Sequence, residues 1–113
     1  MAAIITTYKT LGKTEVVADT NTLLYTVPAL TQVVVSSVTI CNTGTSPRTF
    51  RFAICPASIS AVTKADYVYY DLLVPANQTF ICTAGLTAGP GSQFMVRANH
   101  ADVVFSLFGS EIV

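Results

Sequence analysis

Residues Val33 to Ile40 read VVVSSVTI, and six of these eight side chains branch at Cβ. Such branching restricts χ1 and fits a pleated, half-buried surface better than a helix. The run predicts a central strand reaching Cys41. Strict alternation puts Val34, Ser36, Val38 and Ile40 on one face and Val33, Val35, Ser37 and Thr39 on the other. Both faces are then mostly apolar or small. That pattern suits a strand covered on both sides, by core on one and by a neighbouring subunit on the other.

The remaining segments follow the same logic. Leu23 to Val27 predicts a short strand stopped by Pro28, which lacks a backbone donor. Arg48 to Cys55, RTFRFAIC, alternates cleanly, with Phe50, Phe52 and Ile54 expected inside and Thr49, Arg51 and Ala53 outside. Asp66 to Val74, DYVYYDLLV, places Tyr67, Tyr69 and Asp71 on one expected face and Val68, Tyr70 and Leu72 on the other. Gln78 to Thr83, Gln93 to Ala98 and Val103 to Ile112 complete the set, with Gly109 marking a bulge. Turn clusters separate them, among them Asn42-Thr43-Gly44-Thr45-Ser46-Pro47 and a long glycine-bearing turn over residues 84–92. Residues 1–22 read as an N-terminal arm: Ala2 to Lys9 is a weak strand or an arm whose Ile4, Ile5 and Tyr8 are placed to dock on a neighbour, and Thr10 to Thr22 is polar and Thr-rich, with Val16-Val17 as a candidate short strand. Residues 23–113 form the domain proper. No segment keeps helical periodicity over three turns. The fold expected is all-β: a single-domain antiparallel β-sandwich or jelly-roll-like barrel.

A chain of 113 residues supports one core. Only 11% of it is charged, against roughly 25% in ordinary domains. Six basic and six acidic side chains must serve the whole surface. Cores of protein interfaces are depleted in charge in this way, so much of the surface is expected to be covered by copies or by a partner. The zero net charge and the lack of a basic patch argue against nucleic acid. No apolar run nears the roughly 18 residues of a membrane helix. The start of the chain lacks the features of a signal peptide, so synthesis in a cytoplasm is expected. Cys41, Cys55 and Cys82 are expected to be free thiols acting as small buried hydrophobes.

Convergent chemistry is missing. The single histidine, His100, sits in a turn two residues before Asp102, which reads as an exposed pair. Ser37 and Ser106 lie in plain strands without a nucleophile context. Asp66 and Asp71 are five apart and face opposite ways on a regular strand. The glycines near residue 90 spell no phosphate loop, and no ligand cluster suggests a metal. No catalytic, cofactor-binding or metal-binding residue is assigned, no cofactor is expected, and an enzyme is not the expectation.

Four segments carry a resemblance: YTVPALTQVVVSSVTICNTG at Tyr25 to Gly44, TFRFAICP at Thr49 to Pro56, YVYYDLLVPANQTF at Tyr67 to Phe80, and VVFSLFGSEI at Val103 to Ile112. Together they resemble small virion structural proteins of tailed bacteriophages, over roughly residues 23 to 113. Where such proteins often carry Gly after the Pro-Ala pair, this chain has Leu30. The resemblance implies a capsid decoration or cement protein that stabilises the capsid through protein–protein contacts. Its implied partners are copies of itself, a trimer being expected, and the major capsid protein or tail proteins. Its implied location is the virion, after synthesis in the host cytoplasm. A tail, baseplate or fibre accessory protein is the alternative, and a carbohydrate-binding module a third reading. Ile4, Ile5, Tyr8, Tyr67 and Tyr69 are the expected contact residues.

Overall fold

The structure, a computed structural model, describes residues 4–83 and 85–113. Its strands are β1 (Thr6–Glu15), β2 (Thr22–Thr26), β3 (Gln32–Asn42), β4 (Arg48–Cys55), β5 (Tyr67–Val74), β6 (Thr79–Cys82), β7 (Leu86–Ala88), β8 (Gln93–Ala98) and β9 (Val103–Ile112). One sheet has the order β1-β9-β3-β6, with β7 also paired to β3, and the other the order β2-β8-β4-β5. All pairings are antiparallel. With β7 set aside, this strand order is that of a jelly roll, two four-stranded sheets linked by Greek-key connections. The expected all-β sandwich is therefore the fold observed.

The core lies between the sheets. Phe50, Phe52, Phe94 and Phe105 are all fully buried there, and Phe50 meets Phe105 edge-on across the sandwich with centroids 6.1 Å apart. Val33, Val35, Val38 and Ile40 share this inner face. Strict alternation had divided those four between two faces. The difference is one bulge: Val35 pairs with Gly109 and Ser37 with Phe108, leaving Ser36 as the extra residue. A bulge reverses the facing of everything beyond it, so the apolar residues on both sides of Ser36 turn inward. Gly109 permits this, because a Cβ there would strike the Val34 carbonyl oxygen. The bulge signalled by Gly109 is present, with its extra residue on the partner strand.

The expected arm is corrected for most of its length. Thr6–Glu15 is an edge strand of the first sheet, paired with β9 from Thr6↔Ile112 to Glu15↔Val104. Leu11 and Val16 belong to the common core. Gly12 faces the second sheet so closely that a Cβ would strike the Leu24 carbonyl oxygen. Residues 1–3 of that arm lie outside the described residues, as does Ala84 in the long turn. That turn also contains β7, which pairs with Val33 to Val35.

A second, smaller cluster lies on the outer side of the second sheet. Ala53, expected outside, is buried there with Cys55 and Met95, beneath Ile59, Val62 and Tyr67. The β4–β5 connection folds over them through two single-turn 3-10 helices, Ile59–Ala61 and Lys64–Asp66. Ser58 caps the first, and Thr63 and Asp66 form a capping box on the second. All three cysteines are free; Cys55 and Cys82 are buried, whereas Cys41 is only half-buried.

Candidate interaction surfaces

The five residues expected to make contacts fall on two separate surfaces. Ile4, Ile5 and Tyr8 belong to one end of the first sheet and are highly exposed, Tyr8 at 83%. Ile5 exchanges both backbone hydrogen bonds with Val113. Ile4, Leu30, Gln32, Pro90, Ile112 and Val113 line one shallow cleft of about 350 Å³. Tyr67 and Tyr69 lie on β5, the edge of the second sheet farthest along from β2. The structure does not bring Tyr8 together with Tyr67.

Leu30 is the residue that sequence reasoning passed over at the first surface. It is 87% exposed, and its φ of +58° puts it in the left-handed region. Side chains other than Gly, Asn and Asp are disfavoured there by roughly 1–2 kcal/mol. An apolar side chain held both in water and in a disfavoured backbone well is costly twice over. The signal available was the departure from glycine after Pro28-Ala29.

The tyrosine surface is also rearranged. Tyr69 does not share an open face with Asp71: its ring packs against Phe50 and Phe80, with centroids 5.8 and 5.2 Å away. Its hydroxyl donates to Cys82 Sγ at 2.7 Å. That bond, with burial second, pushes the phenol up to about 12. Tyr69 is therefore half-buried and packs against the core, not on an open face as expected. Tyr70, expected on the opposite face to Tyr67, is the exposed tyrosine, and the two rings meet edge-to-face at 4.9 Å.

Two bulges cause this. Phe50 pairs with Leu72 and Phe52 with Tyr69, so Tyr70 and Asp71 together oppose Arg51; Ala53 then pairs with Tyr67, leaving Val68 extra. Asp71 takes φ +51° at the first bulge. Tyr70 and Asp71 both emerge beside Arg51. The guanidinium lies 4.2 Å from the Tyr70 ring centre and bonds Asp71 through Nε at 2.7 Å and Nη2 at 3.3 Å. The Arg51 hydrogen bonds hold the Asp71 carboxyl below its usual range. Val62, Thr63, Lys64, Tyr67 and Tyr70 line an adjoining open cleft of about 680 Å³.

Between the sheets, near the first surface, Tyr25 donates to Glu111 Oε2. Lys9 Nζ reaches Glu111 Oε1 at 3.2 Å. The Tyr25 bond, helped by Lys9, holds the Glu111 carboxyl below its usual range. Burial first, and then Glu111, push the Tyr25 phenol well above its usual value. At the other end, His100 Nδ1 accepts from the Asp102 backbone N–H at 3.1 Å. The Asp102 carboxylate contacts Arg48 at 3.4 Å, and its carbonyl accepts from Thr43 Oγ1 at 2.7 Å. These contacts tie two turns together.

Among the described residues no group of three or more His, Cys, Asp or Glu side chains could hold a metal ion, and no helix is long and apolar enough to cross a membrane. Compared with known proteins, the chain matches no family model, no curated protein and no solved structure. What the fold and surfaces define is a jelly-roll domain with an exposed apolar end.

Proposed function

We propose that the chain is a virion structural protein of a tailed phage, a decoration protein that attaches to the capsid and stabilises it by protein–protein contact. The observation that carries this reading is the apolar end formed by Ile4, Leu30, Pro90, Ile112 and Val113. Leu30, 87% exposed, places an apolar side chain at a backbone position where glycine would be less strained. An apolar group maintained against both solvation and backbone preference is accounted for by a partner that covers it. The resemblance of residues 25–44, 49–56, 67–80 and 103–112 to tailed-phage virion proteins supports the class of partner, as does the jelly-roll order, which recurs in viral capsid domains. The mechanism is passive: burial of apolar area across subunit junctions at about 25 cal/mol per Å².

The test is co-sedimentation of the purified chain with capsids that lack it. Wild-type protein is expected to bind, and Leu30→Asp to bind at least tenfold more weakly while melting as a folded domain. Equal binding by both proteins, or by neither, overturns the reading. The cleft beside Tyr67 and Tyr70 favours a second reading, a carbohydrate-binding module, because the exposed Tyr70 ring and the nearby Lys64 cation suit a sugar. A glycan array without hits removes it.

A further inference from the structure

The twelve charged side chains are distributed unevenly over the sandwich. Arg48 and Asp102 pair at one end, and Lys9 and Glu111 at the other. Arg51, Asp71 and Arg97 belong to the second sheet and meet across it. The outer face of the first sheet is different. Its register places Val34, Thr39, Ser106, Phe108 and Ile81 on that face, with Tyr8 at its edge. Among the described residues, the outward positions of β3, β6, β7 and β9 carry no charge at all. Among the described residues, Lys13 and Glu15, at one corner on β1, are the only charged residues at outward positions of this sheet.

A solvated sheet face normally carries charged side chains. This one offers hydroxyls between apolar groups, with Ile81 60% and Val34 37% exposed. The second sheet, by contrast, has charges on its outer side and its own covering loop over Ala53, Cys55 and Met95. The uncovered face is continuous and uncharged along β3 and β9, of eleven and ten residues, and β1 extends it with charge confined to the Lys13 and Glu15 corner.

We infer that this face packs against the same face of a second copy of the chain. The inference rests on the virion reading above and names the surface through which copies meet. Two features favour a copy over an unlike partner. A two-fold contact sets each patch against itself, so any net sign on it is repelled. A face whose charge is confined to one corner, where Lys13 and Glu15 are of opposite sign, avoids that cost. The area also suits: three long strands, and β6 and β7 following one another along the free side of β3, make four rows about 4.8 Å apart and about 34 Å long, roughly 650 Å² per copy, and the sum for two copies falls within the about 1,200–2,000 Å² of stable interfaces. Sheet-on-sheet packing of this kind is also how sandwiches build their own cores. Because like faces meet, the unit is a dimer in place of the trimer expected from the resemblance.

Light scattering on the full chain at about 100 μM, a range in which an interface of ordinary strength is populated, tests the inference. The expected mass is twice the 12.0 kDa of the chain, unchanged in high salt because no ion pair is involved. Thr39→Glu and Ser106→Glu are each expected to weaken association at least tenfold. Leu73→Glu, on the second sheet, is expected to leave the dimer intact. Should the central variants fail to fold, Thr10→Glu places a charge on the same face from the exposed edge strand. A wild-type monomer or trimer overturns the inference, as does a dimer indifferent to every folded variant on this face. Particle binding is a separate readout: Leu30→Asp is expected to stay dimeric while losing attachment. A dimer that binds no particle upholds this inference and overturns the virion reading; a monomer that binds particles does the reverse.

Discussion

Asn42 Nδ2 donates to the Val74 carbonyl oxygen at 3.1 Å, so the last residue of a strand in the first sheet holds the last residue of a strand in the second. The same amide nitrogen reaches Ser46 O at 2.8 Å, and Oδ1 accepts from the Gly44 N–H at 3.0 Å. A fully buried side chain thus organises the turn after β3 and ties it to the end of β5. Its removal leaves several buried backbone groups without partners. Asn42→Ala is expected to cost about 2–3 kcal/mol, read as a lower urea midpoint with an unchanged slope. Asn42→Asp is expected to cost more at neutral pH, since a carboxylate would face the carbonyl oxygens that the amide now satisfies. If Asn42→Ala unfolds at the wild-type midpoint, this network does not hold the sheets.

Tyr25 and Glu111 join the sheets at the opposite end, and their linkage gives a pH dependence of defined sign. The Glu111 carboxyl is held below its ordinary 4.5 by its bond from Tyr25. A depressed folded value stabilises above the unfolded value, and that contribution is lost as pH falls through the folded one. Tyr25 is shifted the other way, chiefly by burial. It contributes below its ordinary value of 10.0, and that contribution fades as pH rises through the folded value. Melting temperature is therefore expected to be flat near neutrality, to fall in acid below about pH 4.5 and to fall again in strong alkali. Tyr25→Phe should lose about 1–2 kcal/mol at pH 7 and flatten both limbs. Parallel pH curves for the two proteins would dissociate this pair from the effect.

Tyr69 and Tyr70 are adjacent in sequence but have opposite roles, and mutation should separate them. Tyr69 packs on Phe50 and Phe80 and bonds Cys82. Tyr69→Ser is expected to cost about 2–4 kcal/mol through the cavity it leaves. Tyr70 is 58% exposed and lies against the Arg51 guanidinium; Tyr70→Ser should cost less than about 1 kcal/mol. A combined change of Tyr67 and Tyr69, two of the contact residues expected from sequence, is thus expected to destabilise the domain. Thermal melts of the single variants decide this. Equal losses at the two positions would contradict the assignment of faces.

The contrast shows what was legible in the sequence. Element type was readable wherever β-branched or alternating residues dominated, as in Val33 to Ile40 and Arg48 to Cys55. Facing was not, because a bulge is one extra residue whose marker lies on the partner strand or nowhere. Ser36 reverses β3, and Val68 with the Tyr70-Asp71 pair reorients β5. Only Gly109 hinted at either. The first strand was hidden for another reason. Its inward positions include Thr7, Lys9, Gly12 and Thr14, so its place depends on the backbone ladder to β9 more than on a hydrophobic pattern. At the apolar end, Ile4 and Tyr8 stood out by type, while the departure from glycine at Leu30 took on meaning through its backbone conformation.

Leu30 offers the sharpest separation of a contact role from a structural one. Its side chain is almost wholly in water, so its loss removes little packing from the domain. Its φ of +58° is open to glycine without the steric penalty that Cβ incurs. Relief of that penalty, about 1–2 kcal/mol, exceeds the added chain entropy of glycine in the unfolded state, about 0.5–1 kcal/mol. Leu30→Gly is therefore expected to raise folding stability by about 0.5 kcal/mol, measured by urea titration, and at the same time to weaken binding to capsids. A residue retained only for the fold would show the reverse: lower stability and unchanged attachment. Gain of stability with loss of binding is the signature of a side chain held in a strained turn for the sake of a partner.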